Sequence, residues 1–98
     1  MNRLPIEPGR AVLSMAGRDA GRRFVALRVD ETYAYVADGD LRKVETPKKK
    51  KRRHLRATPE FFPGIAEILK DGSLPSNAEI RRCLADRPLR EDLKLGQE

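Results

Sequence analysis

Seven consecutive residues carry the densest chemistry in the chain: Lys48-Lys49-Lys50-Lys51-Arg52-Arg53-His54, six cations followed by a titratable ring. Six like charges repel one another, so the tract is expected to stay mobile or splayed until phosphate oxygens neutralise it and release condensed counterions. Alone, such a run also suits a localisation signal, a heparin-like patch or an anionic membrane surface. A second cluster, Gly17-Arg18-Asp19-Ala20-Gly21-Arg22-Arg23, tips the choice toward nucleic acid. Its glycines let the backbone approach a phosphate and expose amide N–H groups, and Arg18, Arg22 and Arg23 offer planar forks that match phosphate oxygens. The bland alternative is an ordinary hairpin loop with solvated arginines. Whether the two clusters meet in the fold decides between these readings.

Other chemistry finds little support. His54 has no second His or Cys at a metal-ligand spacing, so it is expected to touch phosphate or ribose or to serve as a strand residue. Ser14, Asp19 and His54 supply one of each triad type, but no nucleophile elbow frames them. No Gly-Lys-Ser/Thr marks a nucleotide-binding P-loop. Tyr33 and Tyr35 could stack on unpaired bases, although tyrosines in a small β domain more often supply core area. Cys83 falls on the apolar face of an expected helix, where a buried, inert thiol is the default. The expectation is a protein without catalytic residues, cofactor or metal, hence not an enzyme.

The elements that position the clusters can be read from period and punctuation. Residues 1–8, with Pro5 and Pro8, read as an extended lead-in. Ala11–Ala16 reads as a strand ending at the glycine-flanked loop. Arg22–Asp30 alternates, with Val25, Leu27 and Val29 expected to face inward. Thr32–Ala37 favours a third strand through Tyr33, Tyr35 and Val36. Asp38-Gly39 is a strong hairpin signal, which predicts a short fourth strand over Leu41–Val44. The basic tract then leads into a closing strand over His54–Thr58. Five short strands in so few residues predict a small barrel spanning 9–60, whose closed sheet leaves no long exposed edge.

After Pro59 the period changes. Ile65, Ile68 and Leu69 recur at helical spacing before Asp71-Gly72, and Ser76-Asn77-Ala78-Glu79 is a capping-box pattern opening a helix over Ala78–Arg87. Ile80, Cys83 and Leu84 share one face of that second helix. Both helices are too short to stand alone and must pack on the barrel, on each other or on a partner. The extension spans 61–88, and residues 89–98 are expected to fray. The fold class is therefore mainly β: a five-stranded barrel followed by two short α-helices.

The charge is segregated in the same way. Met1–Glu60 holds 15 Lys and Arg against 8 Asp and Glu, a balance of +7, whereas Phe61–Glu98 holds 6 against 7, a balance of −1. Only the first part attracts a polyanion. With 98 residues, 37% of them charged, the chain holds one small domain. The single cysteine excludes an internal disulfide framework and fits a reducing cytosol. No apolar run approaches a membrane span and no signal-peptide stretch follows Met1, so a soluble, unexported protein is expected.

Several of these stretches together resemble a known family. Gly9-Arg10-Ala11-Val12-Leu13-Ser14, the loop Ala16–Arg22, the strand Val25–Asp30, Asp38-Gly39 and Lys51-Arg52-Arg53-His54-Leu55 are similar to KOW-domain RNA-binding proteins. The resemblance is closest to the group of the fourteen-e large-subunit ribosomal protein and its short bacterial relatives, and it covers about Pro8–Pro59. It implies an SH3-like barrel whose first loop and basic surface contact ribosomal RNA. Within the pattern, Gly17 is the glycine that shapes the first loop, and Arg18, Arg22 and Arg23 are its basic residues. The full RNA-contacting set expected is Arg10, Gly17, Arg18, Gly21, Arg22, Arg23, Lys48, Lys49, Lys50, Lys51, Arg52, Arg53 and His54. Two features depart from the pattern: Ala20-Gly21 leads into Arg22-Arg23-Phe24 where many KOW motifs carry Lys-Gly before a further glycine, and the four-lysine run is unusually basic. The expected protein is a cytoplasmic, ribosome-associated monomer that contacts RNA, with ribosomal proteins as a further candidate partner and no membrane. The competing expectation is a protein-interaction adaptor near the transcription or translation machinery.

Overall fold

The computed structural model describes residues 4–85. Five strands, β1 (Arg10–Ser14), β2 (Arg23–Val29), β3 (Tyr33–Ala37), β4 (Lys48–Lys51) and β5 (Leu55–Phe61), form one antiparallel sheet in the order β4-β3-β2-β1-β5. A 3-10 turn over Arg52–His54 joins β4 to β5, and two helices follow, α1 (Pro63–Lys70) and α2 (Asn77–Ala85). The mainly β class with two short helices is as expected. The closed sheet is not: the ladders form one open sheet with β4 and β5 at its edges, because the three-residue 3-10 turn between them brings the edges near each other at one end without the ladder bonds that would close them. The end of the second helix expected beyond Ala85 and the frayed tail of residues 89–98 lie outside the described residues.

Strand β2 is buried on both faces from Phe24 to Leu27, so its inward face is not Val25, Leu27 and Val29 alone. Phe24 and Ala26 pack with Val12, Ala34, Val36 and Leu55 on one side of the sheet. Val25 and Leu27 pack with Ala37, Val44, Ile65 and Ile80 on the other, where the helices lie. Pairing shifts between Ala26↔Val36 and Arg28↔Tyr35, a bulge that breaks the strict alternation and carries Val29 to the Phe24 side. Proline 59 falls at the irregular part of β5, an edge strand, where its missing N–H costs least. There the Thr58 hydroxyl donates to the Ala11 carbonyl at 2.8 Å in place of a ladder bond.

The largest departure follows Ala37. Asp38-Gly39 opens a loop of irregular backbone, and the returning strand is Lys48–Lys51, not Leu41–Val44. Asp38 is the cause. Its buried carboxylate accepts from the Asp40 and Arg42 amides at 2.9 and 2.8 Å, taking donors that a two-residue hairpin would have spent on a ladder. The Val44 amide donates to Asn77 Oδ1 at 2.8 Å, tying the loop to the start of α2. Gly39 lies so close to α2 that a Cβ there would come within 2.4 Å of the Asn77 carbonyl oxygen, and its φ of +78° also requires glycine.

The helices follow their sequence signals. Pro63 occupies the first turn of α1, and the capping box of α2 is complete: Glu79 N–H donates to Ser76 Oγ at 3.0 Å, and Ser76 N–H to Glu79 Oε1 at 2.8 Å. Ile80 is fully buried, and Cys83 and Leu84 lie partly buried against the same cluster. Arg81 donates to the Gly39 carbonyl at 2.6 Å, and Arg23 reaches the Leu84 carbonyl at 2.7 Å. These bonds fix α2 across β2 and the loop after β3.

Candidate nucleic-acid interface

The tract Lys48–Lys51 forms a strand because extended geometry sends successive side chains to opposite faces, which separates neighbouring ammonium groups and gives each face its own partners. The expected mobile tract is thereby replaced by an ordered edge strand. On one face, Lys50 is only 7% exposed, and its Nζ donates to Asp19 Oδ1 at 2.8 Å, the Ala16 carbonyl at 2.8 Å and Ser14 Oγ at 3.1 Å. Lys48 Nζ stands 3.4 Å from Asp19 Oδ2, an oxygen without a hydrogen-bond donor among the described residues. On the other face, Lys49 Nζ lies 4.3 Å from the centre of the Tyr33 ring.

Asp19 is thus the joint between the two basic segments. Burial opposes its ionisation, but the hydrogen bonds from Lys50 and Ser14 and the nearby charges of Lys50 and Lys48 outweigh it and hold the carboxyl at about 2, below its ordinary 3.8. The loop itself closes locally: Ser14 Oγ donates to Asp19 Oδ1 at 2.7 Å, Gly21 N–H to the Ser14 carbonyl at 2.8 Å, and Gly17 turns with φ +89°. Met15 N–H donates to the His54 carbonyl at 2.8 Å, so the 3-10 turn adjoins the same loop. The Gly17–Arg23 loop, the lysine strand and Arg52–His54 therefore occupy one continuous region.

Within that region the cations divide into two kinds. Arg18, Lys49, Lys51 and Arg53 are exposed, as is the neighbouring Arg56; Lys48, Arg52 and His54 are half-buried. Arg52 is steered by hydrogen bonds from its guanidinium to the Asp30 and Glu31 carbonyls at 3.1 and 3.5 Å. Arg22 is 42% exposed at its side chain but pairs with Asp38 at 2.9 Å. The remaining cations of the expected set are engaged inside the fold, whereas Gly17 and Gly21 are exposed in the loop. Lys50 is spent on Asp19. Arg23 pairs with Glu60 and caps the α2 carbonyl of Leu84, and Arg10 pairs with Glu7 at 2.6 Å and donates to the Thr58 carbonyl at 3.1 Å. These three read as structural cations, since each long side chain turns inward onto an acid placed by the fold.

Ser14 and Asp19 do meet, but the third member of their cluster is Lys50 rather than His54, whose backbone alone reaches the loop. Ser14 is 1% exposed, so its hydroxyl has no access to a substrate and serves as a hydrogen-bond relay. Tyr33 and Tyr35 are half-buried on β3, and a cation of the chain itself lies over each ring, Lys49 on Tyr33 and Arg28 on Tyr35, both at 4.3 Å. Arg56 and Asp19 are the residues that sequence reasoning undervalued. Asp19 was marked only by being the lone acid inside a cationic loop, and its partner lies 31 residues away.

Compared with known proteins, the chain matches no family model and no curated sequence.

Proposed function

We propose that this chain is a non-catalytic RNA-binding protein of the SH3-like KOW type that docks on structured RNA, ribosomal RNA foremost, through phosphate contacts. The observation that carries this reading is the Asp19 joint: it draws the glycine loop and the lysine strand together, with Arg18, Lys49, Lys51, Arg53 and Arg56 left exposed around it. Exposed cations gathered in one region, outnumbering the exposed acids Asp30 and Glu31 beside them, gain from displacing counterions on a polyanion. The strand order β4-β3-β2-β1-β5, with a 3-10 turn linking the edge strands, supports the SH3-like part of the reading. On this account the protein is cytoplasmic and travels with the ribosome or its assembly intermediates. Sedimenting a lysate at low and high salt tests it: the chain is expected in ribosomal fractions at low salt and released at high salt, and its absence from those fractions at low salt would reject the ribosomal assignment.

One observation favours the adaptor reading as a second possibility. Between α1, β2 and the loop after β3 runs a groove lined by Leu27, Val44, Phe61, Leu69 and Leu74, of which Leu74 is 55% exposed. RNase treatment of a pull-down separates the two: partners held through RNA leave, and a partner docked on this groove stays.

A further inference from the structure

Beside the cationic region, a cleft opens between the lead-in at Leu4–Ile6 and the corner where β4 turns into β5. Its floor is apolar: Ile6 and the buried Leu55 belong to the core on the Phe24 side, and Leu4 and Met15, 41% and 47% exposed, line its walls. Its rim is cationic, with Lys51, Arg52, Arg53 and Arg56 against one acid among the described residues, Glu31. An apolar floor inside a rim of guanidinium groups is poorly suited to paired duplex, whose bases are stacked away, and well suited to one splayed base with phosphates on either side. Arginine planes stack on bases as aromatic rings do, and the thioether of Met15 is soft and adaptable. The Arg52 fork is already oriented by the Asp30 and Glu31 carbonyls, which lowers the ordering cost on binding.

We propose that this cleft captures a single unpaired nucleotide, the base resting on Met15, Leu4 and Ile6 and its flanking phosphates on Arg53, Arg56 and Lys51. The proposal rests on the RNA-binding reading and sharpens it: phosphate contacts along the lysine strand supply affinity for any structured RNA, and the cleft supplies preference for a bulge or loop. Charge complementarity selects the occupant, since four cations about an apolar floor leave a neutral peptide or a lipid tail without partners for the rim.

The test compares two RNA hairpins of identical stem, one fully paired and one with a single bulged 2-aminopurine, titrated against the full chain and against Leu4→Ala/Met15→Ala. Both substituted side chains are substantially exposed, so the variant is expected to keep its thermal midpoint, which circular dichroism checks. The wild type is expected to bind the bulged hairpin about tenfold more tightly than the paired one and to change the fluorescence of the bulged base. The variant is expected to lose that preference while keeping its affinity for the paired hairpin. Equal binding of both hairpins by the wild type would overturn the cleft and leave the RNA reading intact; binding of neither would remove both. An acidic apolar peptide that binds the wild type but not the variant, in the absence of any bulge preference, would overturn the nucleotide assignment in favour of a protein ligand.

Discussion

The two faces of β4 use the same side chain for opposite purposes. Lys50 turns inward and its ammonium is consumed by Asp19, Ser14 and the Ala16 carbonyl, whereas Lys51, its immediate neighbour, is exposed at the mouth of a cationic cleft. Four identical residues thus divide into a fastening face and an exposed face, with Lys48 half-committed at 3.4 Å from Asp19 Oδ2. Where a run folds as a strand, its period of two permits one face to be neutralised by the fold while the other stays available, so net charge overstates the surface that a polyanion meets.

The sharpest way to break this comparison is to remove the acid that enforces it. Asp19→Asn leaves the buried Lys50 without its counter-charge, and a loss of about 3 kcal/mol in unfolding free energy is expected from urea denaturation. A loss under about 0.5 kcal/mol would mean that the joint is not holding the loop. The outward face should respond in the opposite way. Lys49→Ser/Lys51→Ser/Arg53→Ser is expected to weaken binding to a structured RNA about a hundredfold, read by filter binding, with stability hardly changed. Unaltered affinity in that variant would remove the proposed surface.

Acid titration separates the faces without mutation. Because the fold depresses the Asp19 carboxyl from 3.8 to about 2, its contribution is fully present above the unfolded value and is lost as pH falls through the folded one. The stability difference between wild type and Asp19→Asn is expected to shrink by about 2 kcal/mol between pH 5 and pH 2. Asp30 and Asp38 are also held low, so the comparison with the variant is what isolates Asp19. The smallest effect is expected at Lys51→Ser alone, where stability should stay within about 0.5 kcal/mol of wild type.

Much of this arrangement was legible where the signal is local. The alternation of β2, the aromatic and β-branched residues of β3 and the Ser76–Glu79 capping box each specify their element within a few residues, and each appears where expected. The failures share a cause. Lys48–Lys51 has no hydrophobic period, so nothing in it announces a strand; its order comes from β3 alongside and from Asp19, 31 residues earlier. Asp38-Gly39 carries a local turn signal that the Asp38 side chain and the approach of α2 override. The double burial of β2 was hidden because helices absent from its own segment cover one face. For the site, the two basic clusters were visible as composition, but the division of their cations into inward and outward sets depends on the distant acids Glu60, Asp38 and Asp19.

The central claim, that the outward cations grip an RNA backbone while the inward ones do not, is tested most directly by the salt dependence of RNA affinity. With about five phosphates neutralised, the slope of log affinity against log salt is expected near −4 for the wild type and about −2 for the Lys49/Lys51/Arg53 triple variant. A wild-type slope shallower than about −1, or one that the triple substitution leaves unchanged, would contradict the account.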